Sequence, residues 1–453
     1  MRLKLTHVLL MSAFVSLAMT GCKKDREEEE SIPTIDLNAE LRAVLDEASE
    51  GQGVDFFILP ESDQYSLIPQ DPLNPLTTTK VELGRLLYHE TGIGLQPKDD
   101  QGTATYSCAS CHHAAAGFQA NVRQGIGEGG IGFGMAGEGR EVNPAYDPDS
   151  IDVQPRRTPT ILNSAYQEAM LWNGQFGAVG VNEGTESQWT PGTPIFNNNF
   201  GNHGVEIQAI AGLTVHRMLV DQEVCQQIPM YEDLFDIAFS DWPIATRYTQ
   251  RTAGLAIAAF ERTILANQAP WQDWLKGNTS AMSDSEKRGA ILFFGKAECS
   301  NCHNGPSLAN MSFHAIGMDD LNGADVVNGS ADDLGRGGFT GDPNDHYKFK
   351  TPQLYNLKDS PFYGHGGTFH SVREVIEYKN NATPEKGSIP ESLLDEEFHP
   401  LNLTDAEITD LTNFIENALY DPYLVRYTPD ALPSGLCFPN NDALSQIDQG
   451  CIE

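Results

Sequence analysis

Two segments in the second half of the chain combine a helix start signal with a regular apolar pattern. Residues 283–286 read Ser-Asp-Ser-Glu and residues 404–407 read Thr-Asp-Ala-Glu. A hydroxyl residue followed three positions later by glutamate caps the first turn of a helix. The apolar residues that follow are Leu292 and Phe293 after the first signal, and Ile408, Leu411 and Ile415 after the second. The pattern predicts a short amphipathic helix at each place.

Elsewhere the apolar residues show little periodicity. The 453 residues include 42 glycines and 26 prolines, which interrupt helices and favour turns. The Gly-rich stretch 125–139 is therefore predicted as a loop, and the Gly/Asn/Thr-rich stretch 174–204 as an inserted loop. The whole pattern predicts a mainly α-helical protein with long loops and little β structure.

The N-terminus carries the pattern of an export signal. Arg2 and Lys4 precede a mostly apolar run from Val8 to Met19, which is too short to span a membrane. Residues 19–22 read Met-Thr-Gly-Cys and resemble a bacterial lipobox. An uncleaved anchor and an ordinary secretory signal are the alternatives to a lipoprotein signal.

The lipobox predicts cleavage of a signal peptide at 1–21 and lipid attachment to Cys22. The charge run 23–30 follows, so residues 22–50 are predicted as an acidic tether and N-terminal segment. We therefore expect an exported protein, anchored at the bacterial cell envelope on its periplasmic or outer-membrane face. It would contact the membrane only through the lipid.

The charge balance excludes one class of partner. The chain has 29 Lys and Arg against 63 Asp and Glu, a formal net charge of −34. Nucleic acid binding needs a basic surface, so DNA and RNA are not expected partners. Because 40% of the residues are hydrophobic, the chain can still bury a core.

The strongest chemical signal is the pentapeptide CxxCH, which occurs twice. Its residues are Cys108, Cys111 and His112 in the first copy, and Cys299, Cys302 and His303 in the second. This is the attachment signature of haem c, in which two thiols bond the haem and the adjacent imidazole binds the iron. Zinc binding and a redox disulfide are alternatives for a CxxC pair, but zinc does not explain the closing histidines. The motifs predict two covalently bound haems.

The sequences before the two motifs are similar to each other. Leu83–Tyr88 precedes the first and Arg288–Phe294 precedes the second, which suggests an internal duplication. We expect two cytochrome-c-like lobes, each wrapped around one haem. The predicted boundaries are 51–245 for the N-terminal lobe, 246–430 for the C-terminal lobe and 431–453 for a tail.

Several further motifs occur in a fixed order with the two CxxCH copies. They are Arg157–Asn163, Leu171–Gly174, Ala258–Arg262, Phe349–Pro352 and Pro361–Gly367. On these residues, over about 70–425, the chain resembles the bacterial di-haem cytochrome c peroxidase family and its MauG-like subgroup. The resemblance implies that the first haem reacts with peroxide and that the second relays electrons.

The resemblance also raises the question of access to the first iron. In peroxidases of this family a histidine from the following loop caps that iron in the oxidised resting state. No histidine occurs between His113 and His203 here, so the first haem is expected to be open or water-bound without prior reduction. An open position suits peroxide binding.

For the second haem, the family places a methionine, or in MauG a tyrosine, at a fixed distance after the proline that matches Pro361. Counting from Pro361 leads to Tyr378, which we assign as the axial ligand of the second iron. Met311 and Met318 are the alternatives. A phenolate favours ferric and higher oxidation states, whereas a thioether raises the potential. Trp172 matches the tryptophan between the two porphyrins and would serve as an aromatic step for electron transfer.

The pocket of the first haem departs from the family pattern. Gln208 matches the expected glutamine, but Met218 stands where a glutamate normally moves protons. His216 is the nearest group that titrates near neutral pH, and we assign it this role together with Gln208. The alternatives are Glu206, a shifted loop, weak peroxidase activity or a purely structural histidine.

A calcium ion between the haems is also usual in the family. Its carbonyl ligands map to Asp359 and Pro361, but Arg157 replaces the asparagine ligand, which is unfavourable for a cation. Calcium is therefore a weak expectation. His365 replaces part of a usual His-Asp pair, and its role stays open.

The remaining cysteines lie outside the motifs. Cys437 and Cys451 are close in sequence in an exported chain, which favours a disulfide. Cys225 has no obvious partner.

The expected function is reduction of hydrogen peroxide to water with electrons from a small redox protein, such as a cytochrome c or a cupredoxin. Two other functions stay open. One is a MauG-like oxidase that modifies residues of a partner protein, and the other is a non-enzymatic di-haem electron-transfer module. A homodimer is also compatible with the sequence.

Overall fold

Helices and turns make up most of the architecture. The structure is a computed structural model that describes residues 36–330 and 332–452. The predicted signal peptide 1–21, the lipid anchor Cys22 and the charge run 23–30 lie outside these residues. In the described part, no helix is long and apolar enough to cross a membrane.

The helices are distributed along both halves of the chain. Within the described ranges they are α1 (Leu37–Ala48), α2 (Thr78–His89), α3 (Gly204–Val215), α4 (Gln222–Gln227), α5 (Pro229–Ala238), α6 (Ile244–Arg247), α7 (Gln250–Thr263), α8 (Pro270–Leu275), α9 (Asp284–Phe294), α10 (Gly337–Thr340), α11 (Val372–Asn381), α12 (Asp405–Asn413) and α13 (Ala443–Asp448). A π-helical turn, Phe414–Ala418, continues α12. Short 3₁₀ turns fill much of the connecting chain, including both CxxCH motifs.

The strands are very short. β1 (Gly130–Ile131) pairs antiparallel with β2 (Glu141–Val142), with Gly130 opposite Val142. β3 (Phe313–His314) pairs antiparallel with β4 (Phe349–Lys350), with Phe313 opposite Lys350. The predicted fold class, mainly α with little β structure, is confirmed.

Both predicted helix caps are present. The side chain of Ser283 accepts from Glu286 N, and Glu286 Oε2 accepts from Ser283 N at 2.6 Å. Thr404 and Glu407 form the same reciprocal pair at the start of α12. Because these caps satisfy amide groups that no helical carbonyl can reach, they fix the start of each helix.

The two helices that lead into the CxxCH motifs pack by the same device. A Cβ at Gly84 of α2 would lie 1.8 Å from the carbonyl oxygen of Ala256 in α7. A Cβ at Gly289 of α9 would lie 2.0 Å from the carbonyl oxygen of Asp410 in α12. These distances are far below van der Waals contact, so each crossing requires glycine.

Residues from Leu37 onward form one compact unit, with a large buried apolar cluster that includes residues of both halves and a small one formed by Ile126, Tyr146 and Ile151. The segment 37–48, which lies in the predicted tether, is a helix that buries Leu41 and Leu45. Since the core crosses the predicted boundary at 245 and 246, the domain limits stay predictions. The predicted inserted loop 174–204 contains 3₁₀ turns and no strand, and α3 begins at its last residue, Gly204.

Candidate functional site

One internal cavity of about 500 Å³ reaches both CxxCH motifs. From the motifs it is lined by Cys108, Cys111, His112, Cys302 and His303. The five wall residues come from turns far apart in the chain, so the fold brings the two motifs to a common interior. Cys299 is half-buried and stands just outside the lining.

The first motif is held by its neighbours in space. The hydroxyl of Tyr88, near the end of α2, donates to the carbonyl oxygen of His112. The hydroxyls of Ser107 and Ser110 donate to the carbonyl oxygen of Pro439, at 2.9 and 3.1 Å. The C-terminal tail therefore helps to fix the turn that presents the first pair of thiols.

The second motif is held by α9 and by its own following turn. The ring of Phe293 lies 6.4 Å from the ring of His303, centroid to centroid. His303 Nδ1 donates to the carbonyl oxygen of Leu308 at 3.1 Å. A ligand imidazole whose Nδ1 donates to a carbonyl leaves Nε2 free for a metal.

The chemistry of these donors fits haem c. Burial lowers the pKa of both His112 and His303 to about 4, so each imidazole is neutral, the form that binds a metal. His112 Nδ1 is buried and has no hydrogen-bond partner among the described residues. Each histidine closes a turn beside two thiols, so the donor set of each motif matches one covalently attached haem.

The rival interpretations of the two CxxC pairs find little support. None of the four motif cysteines is in a disulfide. Burial raises the pKa of Cys111 to about 12 and that of Cys302 to about 11, which is the opposite of an activated redox thiol. Within residues 36–330 and 332–452, the side chains spaced closely enough to hold a metal ion together are Glu298, Glu397 and His399. None of these three belongs to a CxxCH motif.

Trp172 lies in the wall of the shared cavity. Its indole Nε1 donates to the carbonyl oxygen of Arg157 at 2.8 Å, and its own carbonyl oxygen accepts from Lys350 N. Its ring meets the ring of His365 edge-on, with centroids 6.3 Å apart. The tryptophan is thus fixed on both its main chain and its side chain, within a cavity that both motifs share.

The predicted distal residues also line this cavity. Gln208 projects from α3, and its Oε1 is buried without a hydrogen-bond partner among the described residues. His216 lies at the C-terminal end of α3. An amide oxygen without a partner and an imidazole in one cavity are suited to hold a small polar molecule.

His216 has a partner that sequence reasoning missed. Its Nδ1 lies 2.8 Å from Oδ2 of Asp152, a buried residue in the loop after β2. Burial alone would lower the pKa of His216, but the Asp152 carboxylate reverses this and raises the pKa above its ordinary value. The Asp152 carboxylate therefore favours the protonated form of His216, and no local sequence motif indicated this pair.

Glu261 is a second titratable residue of the cavity that sequence reasoning missed. It lines the cavity from α7, and its Oε2 has no hydrogen-bond partner in the described part of the chain. Burial, reinforced by nearby Glu206, raises its pKa to about 8. Glu261 belongs to the motif 258–262, so its type and position were available as a signal.

The assignment of Tyr378 as an axial ligand stays a prediction. Its hydroxyl donates to the carbonyl oxygen of Ile316, and its ring packs on Phe369 and Phe398. The cavity wall contains the next residue, Lys379, and not Tyr378. One step along an α-helix turns the side chain by about 100°, so Tyr378 and Lys379 lie on different faces of α11.

The region of the expected calcium ligands contains a buried cationic side chain. The Arg157 guanidinium is buried and donates to the carbonyl oxygens of Phe362 and Ala120, to Gln119 Oε1 and to Ser360 Oγ. A fixed cation therefore already engages these oxygens, beside the predicted residues Asp359 and Pro361. A second positive charge there would be repelled.

The other predicted positions have simple surroundings. A disulfide joins Cys437 to Cys451 in the tail, and Cys225 is a buried free thiol. His365 is buried, stacks on Phe349 with centroids 3.7 Å apart, and lies 3.1 Å from Asp320 Oδ1. Its position beside Trp172 makes it part of the wall between the two motifs.

Comparison with known proteins supplies a family. The model of the di-haem cytochrome c peroxidase family matches residues 78–280. The methylamine utilization protein MauG of Methylorubrum extorquens is 30% identical over 81% of this chain and 84% of its own length. The cytochrome-c peroxidase IdrP1 of Denitromonas iodatirespirans is 28% identical over 85% of this chain and 93% of its own.

Solved structures agree on the fold. A MauG-like protein associated with microbial copper homeostasis superposes with a TM-score of 0.56 at 24% identity, covering 81% of this chain and 96% of that one. The di-haem peroxidase BthA from Burkholderia thailandensis gives a TM-score of 0.50 at 16% identity, covering 80% and 90%. These neighbours share the architecture of the described unit.

Proposed function

Because the chain belongs to the di-haem cytochrome c peroxidase family and is an oxidoreductase, we propose that it reduces hydrogen peroxide to water with electrons from a small redox protein. The overall reaction takes two electrons and two protons per peroxide. The observation that carries the proposal is the joint presence of Gln208, His216 and the metal-ready His112 in one cavity. The first motif is thus proposed as the peroxide site.

The protein residues would divide the work as follows. His112 and His303 hold the irons, and the bound haem supplies the redox chemistry of peroxide reduction. Gln208 Oε1 accepts a hydrogen bond from the incoming peroxide. His216, whose protonated form Asp152 favours, would donate protons to the departing oxygen and recover them from solvent, to which its ring is partly exposed.

Trp172 would carry electrons between the two motifs. It stands in the wall that both motifs share, and its hydrogen bonds hold the ring in place. The second motif, which includes Cys302 and His303, is proposed as the entry point for electrons. Electron transfer through an aromatic ring depends on the ring being held in place, and it does not need a titratable group.

The first experiment adds hydrogen peroxide to the fully ferric protein and follows haem absorbance. We expect an immediate spectral change, since no histidine of the loop after the first motif lines the cavity beside His112. Reduced cytochrome c should then be oxidised at two equivalents per peroxide. An unchanged spectrum would contradict peroxide binding, and a change without turnover would contradict the peroxidase assignment.

A second candidate function is oxidation of residues on a partner protein. The similarity to MauG favours it, and so does the lack of any histidine between His113 and His203 that could cap the first iron. A tryptophan-containing peptide can serve as the probe, with peroxide present and no electron donor. Mass gain on the peptide at a rate that competes with cytochrome c oxidation would favour this function over the first.

The donor is proposed to be cationic. Acidic side chains lie near the second motif, among them the exposed Glu298 and the half-buried Asp395 and Glu397. Opposite charges steer association at low ionic strength and are screened by salt. The rate with a basic cytochrome c should fall as salt rises, while the rate with a small uncharged reductant should not.

The protein is further proposed to be held at the cell envelope by lipid on Cys22. The lipobox 19–22 supports this, although it lies outside the described residues. A Cys22→Ser variant should be released from the membrane fraction. Release of the unaltered protein to the same degree would contradict the anchor.

A further inference from the structure

One face of α11 forms part of the cavity wall beside the second motif. The residues of this face are Val372, Val375, Ile376 and Lys379. Their spacing, three, four and seven positions from the first, is that of a single stripe along a helix. Three members are apolar, and the fourth carries an amine into the same interior as His303.

The amine of Lys379 has few partners. No hydrogen bond or ion pair reaches its Nζ among residues 36–330 and 332–452, and its described contact is the ring of Phe398 at 5.5 Å. Nearby carboxylates are engaged elsewhere: Asp395 Oδ2 binds His314 Nδ1 at 2.7 Å, and Glu397 Oε2 accepts from Asn301 at 2.9 Å. Placing an amine in such a wall is costly unless a ligand meets it.

We propose that Lys379 Nζ would join His303 in holding the iron of the second haem. The nitrogen lone pair forms the bond to iron, and the proton of the ammonium leaves to solvent, since metal ligands bind in the deprotonated form. No electron is transferred in this step. The proposal rests on haem attachment at Cys299 and Cys302 and does not depend on peroxide turnover.

Two other side chains of the same wall are less suited. Met318 lines the cavity, but its thioether lies close to the backbone of Gly364, where an added Cβ would come within 3.1 Å of Sδ. His314 is held on both ring nitrogens, by Asp395 and by Ser312 Oγ at 2.6 Å. Lys379 combines access to the cavity with a free donor atom.

The test is the ferric spectrum of a Lys379→Ala variant. A pyridine haemochrome assay must first show that both haems are still attached. We expect loss of the low-spin electron paramagnetic resonance signal of one haem and a matching gain of high-spin signal, with added methylamine restoring the low-spin form. An unchanged spectrum would overturn the proposal and would mean that the amine pairs with a haem propionate.

Matched variants separate the neighbouring residues. Tyr378→Phe and Met318→Leu should leave the ferric spectrum unchanged, and a low-spin loss in either would overturn the assignment. Lys379→Met should raise the midpoint potential of one haem, because a thioether raises the potential of a His-ligated iron.

A measurement on the unaltered protein covers the case in which the variants lose haem. Labelling lysine with nitrogen-15 at Nζ should produce a hyperfine coupling to the low-spin iron in pulsed magnetic resonance. Absence of that coupling would overturn the proposal. Since none of these measurements uses peroxide, failure of the proposed peroxidase function would leave their outcome unaffected.

Discussion

The two CxxCH sites are built alike on the side of the motif and differently on the side that faces it. In each half a glycine lets the preceding helix, α2 or α9, pack directly on a later helix. Across the cavity, the first site faces polar groups that can handle protons, Gln208 and His216, whereas the second faces an apolar stripe that ends in Lys379.

This difference shows how two copies of one motif can stand in different chemical surroundings. The attachment chemistry is local to five consecutive residues, so duplication copies it intact. The opposite wall comes from unrelated segments, α3 for the first site and α11 for the second. Changing those segments alters the chemistry of one iron and leaves its attachment alone.

The largest expected difference between the two sites follows from removing the proton-donating side chain, His216, from the first site. We expect His216→Asn to lower kcat/KM for peroxide by about 10²- to 10⁴-fold, the usual range for loss of a general acid. The ferric spectrum of the second haem should be unaffected. Steady-state peroxidase assays and electron paramagnetic resonance check these two outcomes.

His370→Asn is a suitable control for this variant, because His370 is exposed and lies outside the cavity wall. If His370→Asn and His216→Asn reduce activity equally, the assignment of His216 fails. Glu261 would then be the next group to test.

A smaller effect should follow from removing the carboxylate partner of His216 while keeping the histidine itself. Asp152→Asn removes the carboxylate that raises the pKa of His216, so burial should lower that pKa. The protonated form is then lost at lower pH, and the alkaline limb of the kcat/KM profile should move toward acid. At neutral pH we expect a loss of activity smaller than that of His216→Asn, because a smaller fraction of His216 is then protonated.

The pH profile distinguishes this effect from misfolding. A damaged structure would lower the whole profile without moving its limb. Asp149→Asn provides a matched exposed control in the same loop. A limb that stays in place in Asp152→Asn would contradict the His216–Asp152 pair as the proton source.

The smallest expected effect concerns the wall between the sites. Because Arg157 already binds the oxygens of this region, neither a calcium chelator nor added calcium should change the ferric spectrum or kcat. Absorbance and activity before and after dialysis against chelator check this. A calcium-dependent gain in activity would show that a metal site exists there after all.

Much of the fold was accessible from local sequence. The caps at Ser283 and Thr404 depend on residues three positions apart, and both are present. The mainly α class follows from the same local signals. The helix at 37–48 was missed, since a strongly charged neighbourhood suggested a tether while Leu41 and Leu45 bury themselves in the core.

The candidate site was predictable only in part. Gln208 and Trp172 were found through family motifs, and both line the cavity. Asp152 was missed because its partner, His216, lies 64 residues away, and no periodic pattern connects the two. Glu261 was missed although its motif was noticed, since burial rather than residue type gives it an unusual pKa.

The sequence by itself determined what is encoded within a few residues: the two CxxCH attachment motifs, the helix caps and the excess of acidic groups. The tertiary structure alone decided what faces the cavity. A one-residue difference on α11 turns Tyr378 toward the carbonyl oxygen of Ile316 and Lys379 into the wall. The physical reason is that a helix rotates about 100° per residue, so side-chain direction depends on how the helix packs as well as on its sequence.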